Sequence, residues 1–332
     1  MTQSGNGAMG DRRIQGMARL ARPWIGPLIL LLCLLFFGRV LRDNFRQIAD
    51  HPFNWREAVA VIAGSVLLAA TYLGLAEAWR RLVVLFEGPS ALADRPLLRI
   101  YGTSQLAKYL PGNVMHFAGR QIMARRLGFG HKPVAMASIF ETAGMIVVAV
   151  ALGGAGLLAA PDMPALPGHV DLRVVSLVCI LAVALAAGIA LFHRFRTVGR
   201  DGTLPRTHGF WRTMALVLIL YALCFAAMPL VFSGIVYAAE GRWQPMHVFG
   251  VLIVAWLLGY VTPGAPGGVG VREAVIVSGT AAVIGTGDAV VYAVLFRVAT
   301  VLADLELFLL ARRFPAGHGA DVSTDLQGGD GG

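Results

Sequence analysis

The chain has 332 residues, of which 57% are hydrophobic and 14% charged, with a mean hydropathy of +0.68. Soluble domains carry about 25% charged residues, so this composition excludes a water-solvated globular fold for most of the chain. The net charge of +9 does not indicate nucleic-acid binding: the basic residues sit in polar intervals between apolar stretches, where the positive-inside rule and anionic lipids account for them.

Arg12, Arg13, Arg19 and Arg22 precede the first apolar run, as in a secretory signal, but no small-residue cleavage site follows. Residues 1–23 therefore read as a basic cytoplasmic segment ahead of an uncleaved span. Apolar runs at 24–41, 58–79, 133–160, 172–193, 213–238 and 288–311 are each long enough to cross a bilayer. The expected fold class is an all-α polytopic membrane protein with about six full spans, forming one transmembrane domain over 24–313 and followed by a disordered cytoplasmic tail over 314–332. Cys33, Cys179 and Cys224 lie singly inside apolar stretches, a pattern of core residues rather than of disulfides or a metal site.

Two regions, 97–119 and 247–286, are apolar but broken by proline and glycine: KYLPGNVMHFAGR in the first and GYVTPGAPGGVGVRE in the second. The loop from Arg194 to Arg212 holds five Arg and one Asp, which places it in the cytoplasm. Alternation from there puts Arg80 with Arg81, Arg125 with Arg126, Arg312 with Arg313 and both termini on the cytoplasmic face of a plasma (bacterial inner) membrane. One loop fits less well, since Arg39, Arg42, Arg46 and Arg56 must lie outside. Each broken region begins and ends on one side of the membrane, so both are expected to be re-entrant hairpins entering from opposite faces.

Setting Pro111-Gly112-Asn113-Val114 against Pro266-Gly267-Gly268-Val269 brings Phe140-Glu141 onto Phe296-Arg297 with one inserted residue. The chain is thus expected to hold inverted repeats at about 58–160 and 213–311, a pattern that in transporters points to a binding site near the midplane.

In the second motif Gly267, Gly268 and Gly270 precede a helix near Val271, an arrangement that presents N–H groups to an anion. Arg272 adds a charge-assisted contact, and Glu273 pairs with Arg272 or caps the helix. The alternative is a tight turn with a surface Arg and Glu. In the first motif Asn113, His116 and Arg120 follow the Pro-Gly pair, with Gln105 and Lys108 just before it; these suit an anionic head group, or else form the polar face of a surface segment. Glu141 and Arg297 hold corresponding places in the two halves, where pairing across the pseudo-twofold would offset their intramembrane cost. Asp304 and Glu306 lie further along the last span and belong to a structural ion-pair network or to a coupling relay. Glu77 is placed to neutralise Arg80 or Arg81.

PGGVGVRE preceded by TPGA resembles the glycine-rich motif of the lysylphosphatidylglycerol synthase transmembrane-region family, a flippase-like group, and KYLPGNVMHFAGR resembles its upstream partner motif. The resemblance spans roughly Pro23 to Arg313; where the family often has Gly-Glu after the first motif, this chain has Met115-His116. It implies a stand-alone membrane domain, without the aminoacyl transferase domain of some members, that moves a lipid with a polar or phosphate head group between leaflets. No cofactor, metal or enzymatic activity is expected, because no closely spaced carboxylates suit a cation. The competing readings are a non-catalytic partner of a lipid- or glycan-assembly enzyme, recruited through the Arg-rich loop, and an integral-membrane transferase.

Overall fold

A computed structural model describes residues 51–88, 95–109, 115–160, 207–243, 245–262 and 265–314. The N-terminal segment, the runs at 24–41 and 172–193, most of the Arg-rich loop, Pro111 to Val114, Pro263, Gly264 and the tail from Pro315 lie outside the described residues. Eight α-helices make up nearly all of what is described: α1 (Trp55–Glu87), α2 (Arg95–Gln105), α3 (Met115–Arg126), α4 (His131–Ala159), α5 (Thr207–Glu240), α6 (Pro245–Val261), α7 (Val271–Ile284) and α8 (Thr286–Ala311). No strand occurs among the described residues.

Helices α1, α4 and α5 are long and apolar enough to cross a membrane. Helix α8 is also long, 26 residues, but carries Asp288, Arg297, Asp304 and Glu306. Polarity is distributed as a bilayer demands. Val59, Ile62, Val66, Leu218, Ile219, Leu223, Val298, Val301 and Leu305 face outward, whereas Glu57, His116, Arg120, Glu141, Glu273 and Asp304 are buried. Charged groups inside and bare aliphatic groups outside reverse the arrangement that water imposes. Trp55 and Trp243 are exposed at one end of the bundle and Trp211 at the other, as in an interfacial aromatic belt.

Each long helix starts or packs for an identifiable reason. Asn54 caps α1, its Oδ1 accepting from the N–H groups of Arg56 (2.8 Å) and Glu57 (3.1 Å), while the buried Glu57 carboxylate meets His51 Nε2 at 3.1 Å. Helices α1 and α5 run antiparallel and approach closely because Gly64 leaves room for Val231 and Gly74 for Leu220. In the same way Gly153 and Gly156 let α4 lie against Ile253 and Gly250 of α6, close approaches of the kind that replace the hydrophobic effect between helices in lipid.

The two broken regions fold as antiparallel helical hairpins. In the first, α2 lies against α3, with Gln105 beside Arg120 and Ser104 beside Gly119. In the second, α6 lies against α7, with Gly259 beside Arg272 and Val251 beside Gly279. The first hairpin opens where α1 and α8 end: Glu87 accepts from Gly130 N, and Arg99 Nη1 donates to Phe314 O at 2.9 Å. The second opens at the other end of the bundle, since α7 leads through Gly285 into α8, whose Asp288 lies near His51 ahead of α1. Their tips meet inside, where the Tyr109 ring lies against Gly267.

A methyl group on Gly156 would lie 2.7 Å from Phe249 Cδ1 and 2.8 Å from Gly250 N. Gly156→Val is therefore expected to destabilise the protein by at least the roughly 1–3 kcal/mol of an overpacked core. Gly234→Ala, into space that is open within 4 Å, should leave the unfolding temperature in detergent unchanged or raise it.

Candidate functional site

Where the hairpin tips converge they leave a small cavity of about 60 Å³. The first hairpin contributes Gln105, Lys108, His116 and Arg120, the second Gly267 and Arg272, and the long helices Tyr72, Glu141 and Cys224, with Trp256 and Tyr260 from α6. A neighbouring cavity of about 20 Å³ shares Met228, Trp256 and Arg272 with it and is otherwise lined mainly by apolar side chains such as Leu252, Ile276 and Phe296.

The first hairpin delivers a closed ion pair. Arg120, 1% exposed, donates from Nη1 to Glu141, from Nη2 to Gln105 Oε1 at 3.1 Å and from Nε toward Ser104 Oγ at 3.4 Å. Its guanidinium lies 3.8 Å from the centre of the Tyr101 ring, and Tyr101 OH donates to the other Glu141 oxygen at 2.9 Å. Lys108, at the tip, donates to Asp304 of α8 at 2.7 Å, and Tyr109 OH donates to the same carboxylate at 2.6 Å. Lys108 also lies over the Tyr72 ring at 5.5 Å. Lys108 and Gln105 are therefore engaged inside the bundle and do not form the polar face of a surface segment. His116 is buried at 5% exposure, and its Nδ1 has no hydrogen-bond partner among the described residues. Asn113 lies outside the described residues.

The second hairpin turns through Gly267, Gly268 and Gly270 at φ of 59°, 74° and 82°, a region favourable only to glycine. This turn consumes much of its own hydrogen-bonding capacity. Gly268 N–H donates to Ala265 O at 2.9 Å, Gly270 N–H to Glu273 Oε2 at 2.7 Å, and Gly267 O accepts from Arg297 Nη1 at 3.0 Å. Of the alternatives for Glu273, it is the helix cap, and it also stands 3.5 Å from Arg297 Nε. The N–H groups of Gly268 and Gly270 are thus occupied within the loop.

Arg272 is held unlike Lys108 and Arg120, and like Arg297, whose Nη2 is also buried without a hydrogen-bond partner among the described residues, it keeps an unsatisfied nitrogen. Its stem passes between Gly259 and Gly268, where a methyl group would come within 2.5 Å of its Cγ and Nε respectively. Its guanidinium lies 5.8 Å from the centre of the Trp256 ring, and the buried Nε has no partner among the described residues. No carboxylate of the described residues forms a salt bridge with it.

The expected pairing of Glu141 with Arg297 does not occur. Glu141 takes Arg120 and Arg297 takes Glu273, so each half closes its own pair between the outgoing arm of its hairpin and the long helix that follows, with the signs exchanged. Positions that correspond in an alignment of the two motifs need not face each other, and the nearest opposite charge wins in a medium without water. Glu306 is outside this network and accepts instead from Ser65 Oγ at 2.7 Å. Glu77 meets both Arg80 and Arg81 at 2.6 Å.

The aromatic side chains escaped the reading of the sequence. Tyr72, Tyr101, Tyr109 and Trp256 each lie within 6 Å of a buried or half-buried cation, supplying the face that a desolvated cation prefers. The adjacency of Lys108 and Tyr109, and the helical spacing of Trp256 and Tyr260, whose rings stack at 4.8 Å, were the available signals. Among the described residues no three His, Cys, Asp or Glu side chains are grouped to hold a metal ion.

Glu141→Gln is expected to cost about 3–5 kcal/mol, because it strands a buried guanidinium. Removing both charges, as in Arg120→Met with Glu141→Leu, should recover most of that loss. Unfolding of the purified variants in detergent checks this; a Glu141→Gln protein as stable as the parent would show that the pair is not mutually neutralising.

The chain matches no protein-family model and no curated protein.

Proposed function

We propose that this protein is a flippase-like membrane protein that moves a lipid with a polar or phosphate head group between leaflets. The observation that carries this reading is the cavity at the meeting point of the two hairpins, lined by Arg272, a cation that has no carboxylate partner among the described residues. The arms of the hairpins have 11, 12, 17 and 14 residues. At 1.5 Å per residue they reach roughly 16 to 26 Å, less than the about 30 Å of hydrocarbon. They are therefore re-entrant, one from each face, and the halves at about 58–160 and 213–311 are inverted repeats of long helix, hairpin and long helix. The full domain has about six spans and both termini in the cytoplasm of a bacterial inner membrane.

In this arrangement the polar head passes between the tips while the chains stay in lipid. The cost that confines a head group to its leaflet is the desolvation of its charge, and the hairpin tips replace water with fixed donors at that depth. The resemblance of the two broken motifs to the lysylphosphatidylglycerol synthase transmembrane region supports the same reading and the same class of substrate.

Protein reconstituted into liposomes is expected to render fluorescent phosphatidylglycerol in the inner leaflet accessible to an external quencher, at a rate well above that of empty liposomes. Arg272→Gln should reduce that rate by at least about tenfold, the worth of one charge-assisted contact. Equal rates with and without protein, across several head groups, would contradict the proposal.

A further inference from the structure

The cations and carboxylates around the two cavities do not balance. Lys108, Arg120, Arg272 and Arg297 supply the positive charge, and Asp304, Glu141 and Glu273 the negative. Asp304 takes Lys108, Glu141 takes Arg120 and Glu273 takes Arg297. Among the described residues Arg272 is left over, with its Nε buried and without a hydrogen-bond partner.

We infer that the site selects a head group bearing a single negative charge at the junction of head and chain, as in a phosphodiester lipid, with Arg272 as its ligand. The inference rests on the lipid-site reading of the cavity and adds to it the charge of the occupant. A neutral head would leave the guanidinium desolvated and unpaired, and a head with two or more charges would bring in a negative charge for which the other cations are already salt-bridged among the described residues, Arg297 included although its Nη2 is buried without a hydrogen-bond partner; both are costly out of water. A zwitterionic head would add a cation among cations already paired.

The position of Arg272 says where on the lipid the charge lies. It lines both cavities, so its guanidinium stands where a polar lining gives way to an apolar one. The phosphodiester of a membrane lipid occupies that same boundary between head and chains. His116 Nδ1, buried and without a partner among the described residues of the polar cavity, offers a further hydrogen-bonding atom to a head-group hydroxyl. Gly259 and Gly268 keep the Arg272 stem straight by leaving no Cβ in its path, so the charge is presented at a fixed place.

The test uses native mass spectrometry of the full chain in detergent, offered equal amounts of four lipids with identical acyl chains. These are diacylglycerol, phosphatidylcholine, phosphatidylglycerol and diacylglycerol pyrophosphate. Phosphatidylglycerol is expected to be retained over each of the others by about tenfold. In Arg272→Gln that preference disappears, and the unfolding temperature does not fall, because an unpaired buried cation has been removed; a purely structural arginine would lower it.

Two further variants change the charge balance in the other direction. Glu141→Gln frees Arg120 and Asp304→Asn frees Lys108, and whichever of them folds should shift retention toward the pyrophosphate. Equal retention of phosphatidylglycerol and phosphatidylcholine, a parent protein that favours the pyrophosphate, or an Arg272→Gln protein that keeps its preference would overturn the inference while leaving a lipid site in place. Retention of none of the four would remove the lipid-site reading as well. Selective retention without transport in liposomes would uphold the charge selection and count against flipping alone.

Discussion

The structure depends on keeping charge in a place without water. In a bilayer every buried ion must find an opposite charge, a ring face or a dipole, and all four of the central cations lie close to an aromatic ring, three of them also to a carboxylate. These contacts determine which elements can approach one another. Helix α8 is the clearest case: Asp304 holds the tip of the first hairpin through Lys108 and Tyr109, and Arg297 holds the tip of the second through Gly267 O. The two residues are two turns apart on one helix, so a single strut secures both tips and sets the spacing of the cavity between them.

The broken backbone follows the same rule. Irregular chain at membrane depth survives only if its polar groups are received by protein or by a wet cavity. The glycine turn of the second hairpin meets much of that demand internally, through Ala265 O and the Glu273 carboxylate. Two N–H groups of a loop composed like an anion-binding nest are thereby taken, while the Arg272 side chain keeps a buried Nε without a hydrogen-bond partner among the described residues. Helix α5, which also lines the cavity, contains Pro229; it has no N–H to donate and so leaves a carbonyl one turn earlier without its usual partner.

Much of this architecture was legible before any coordinates. Runs such as 58–79 and 213–238 announce long helices because lipid-facing and core-facing positions are equally apolar, and the structure extends them to Trp55–Glu87 and Thr207–Glu240. The breaks between α2 and α3 and between α6 and α7 were legible because proline and glycine recur where an uninterrupted helix would otherwise run. Pairing was not. Glu141 and Arg297 align between the halves, yet each is taken by a residue about one hairpin away, Arg120 and Glu273, because packing rather than register decides which charges meet. Glu306, two residues from Asp304, points to another face of α8 and meets Ser65 instead. The role of Tyr101 under Arg120 left no pattern in the sequence, since a ring that supports a cation and a ring that fills a core are spelled alike.

Central to the proposed function is Arg272, a cation at the meeting of two hairpin tips with no carboxylate partner among the described residues. A density map of the protein in lipid nanodiscs, obtained by electron cryo-microscopy, tests that most directly. The predicted result is non-protein density against the Arg272 guanidinium, beside Trp256 and between Lys108 and Gly267, with a lipid chain leading out of it. A map in which a carboxylate of the protein itself meets Arg272, or in which the two tips are parted and the residue faces bulk water, would contradict the account.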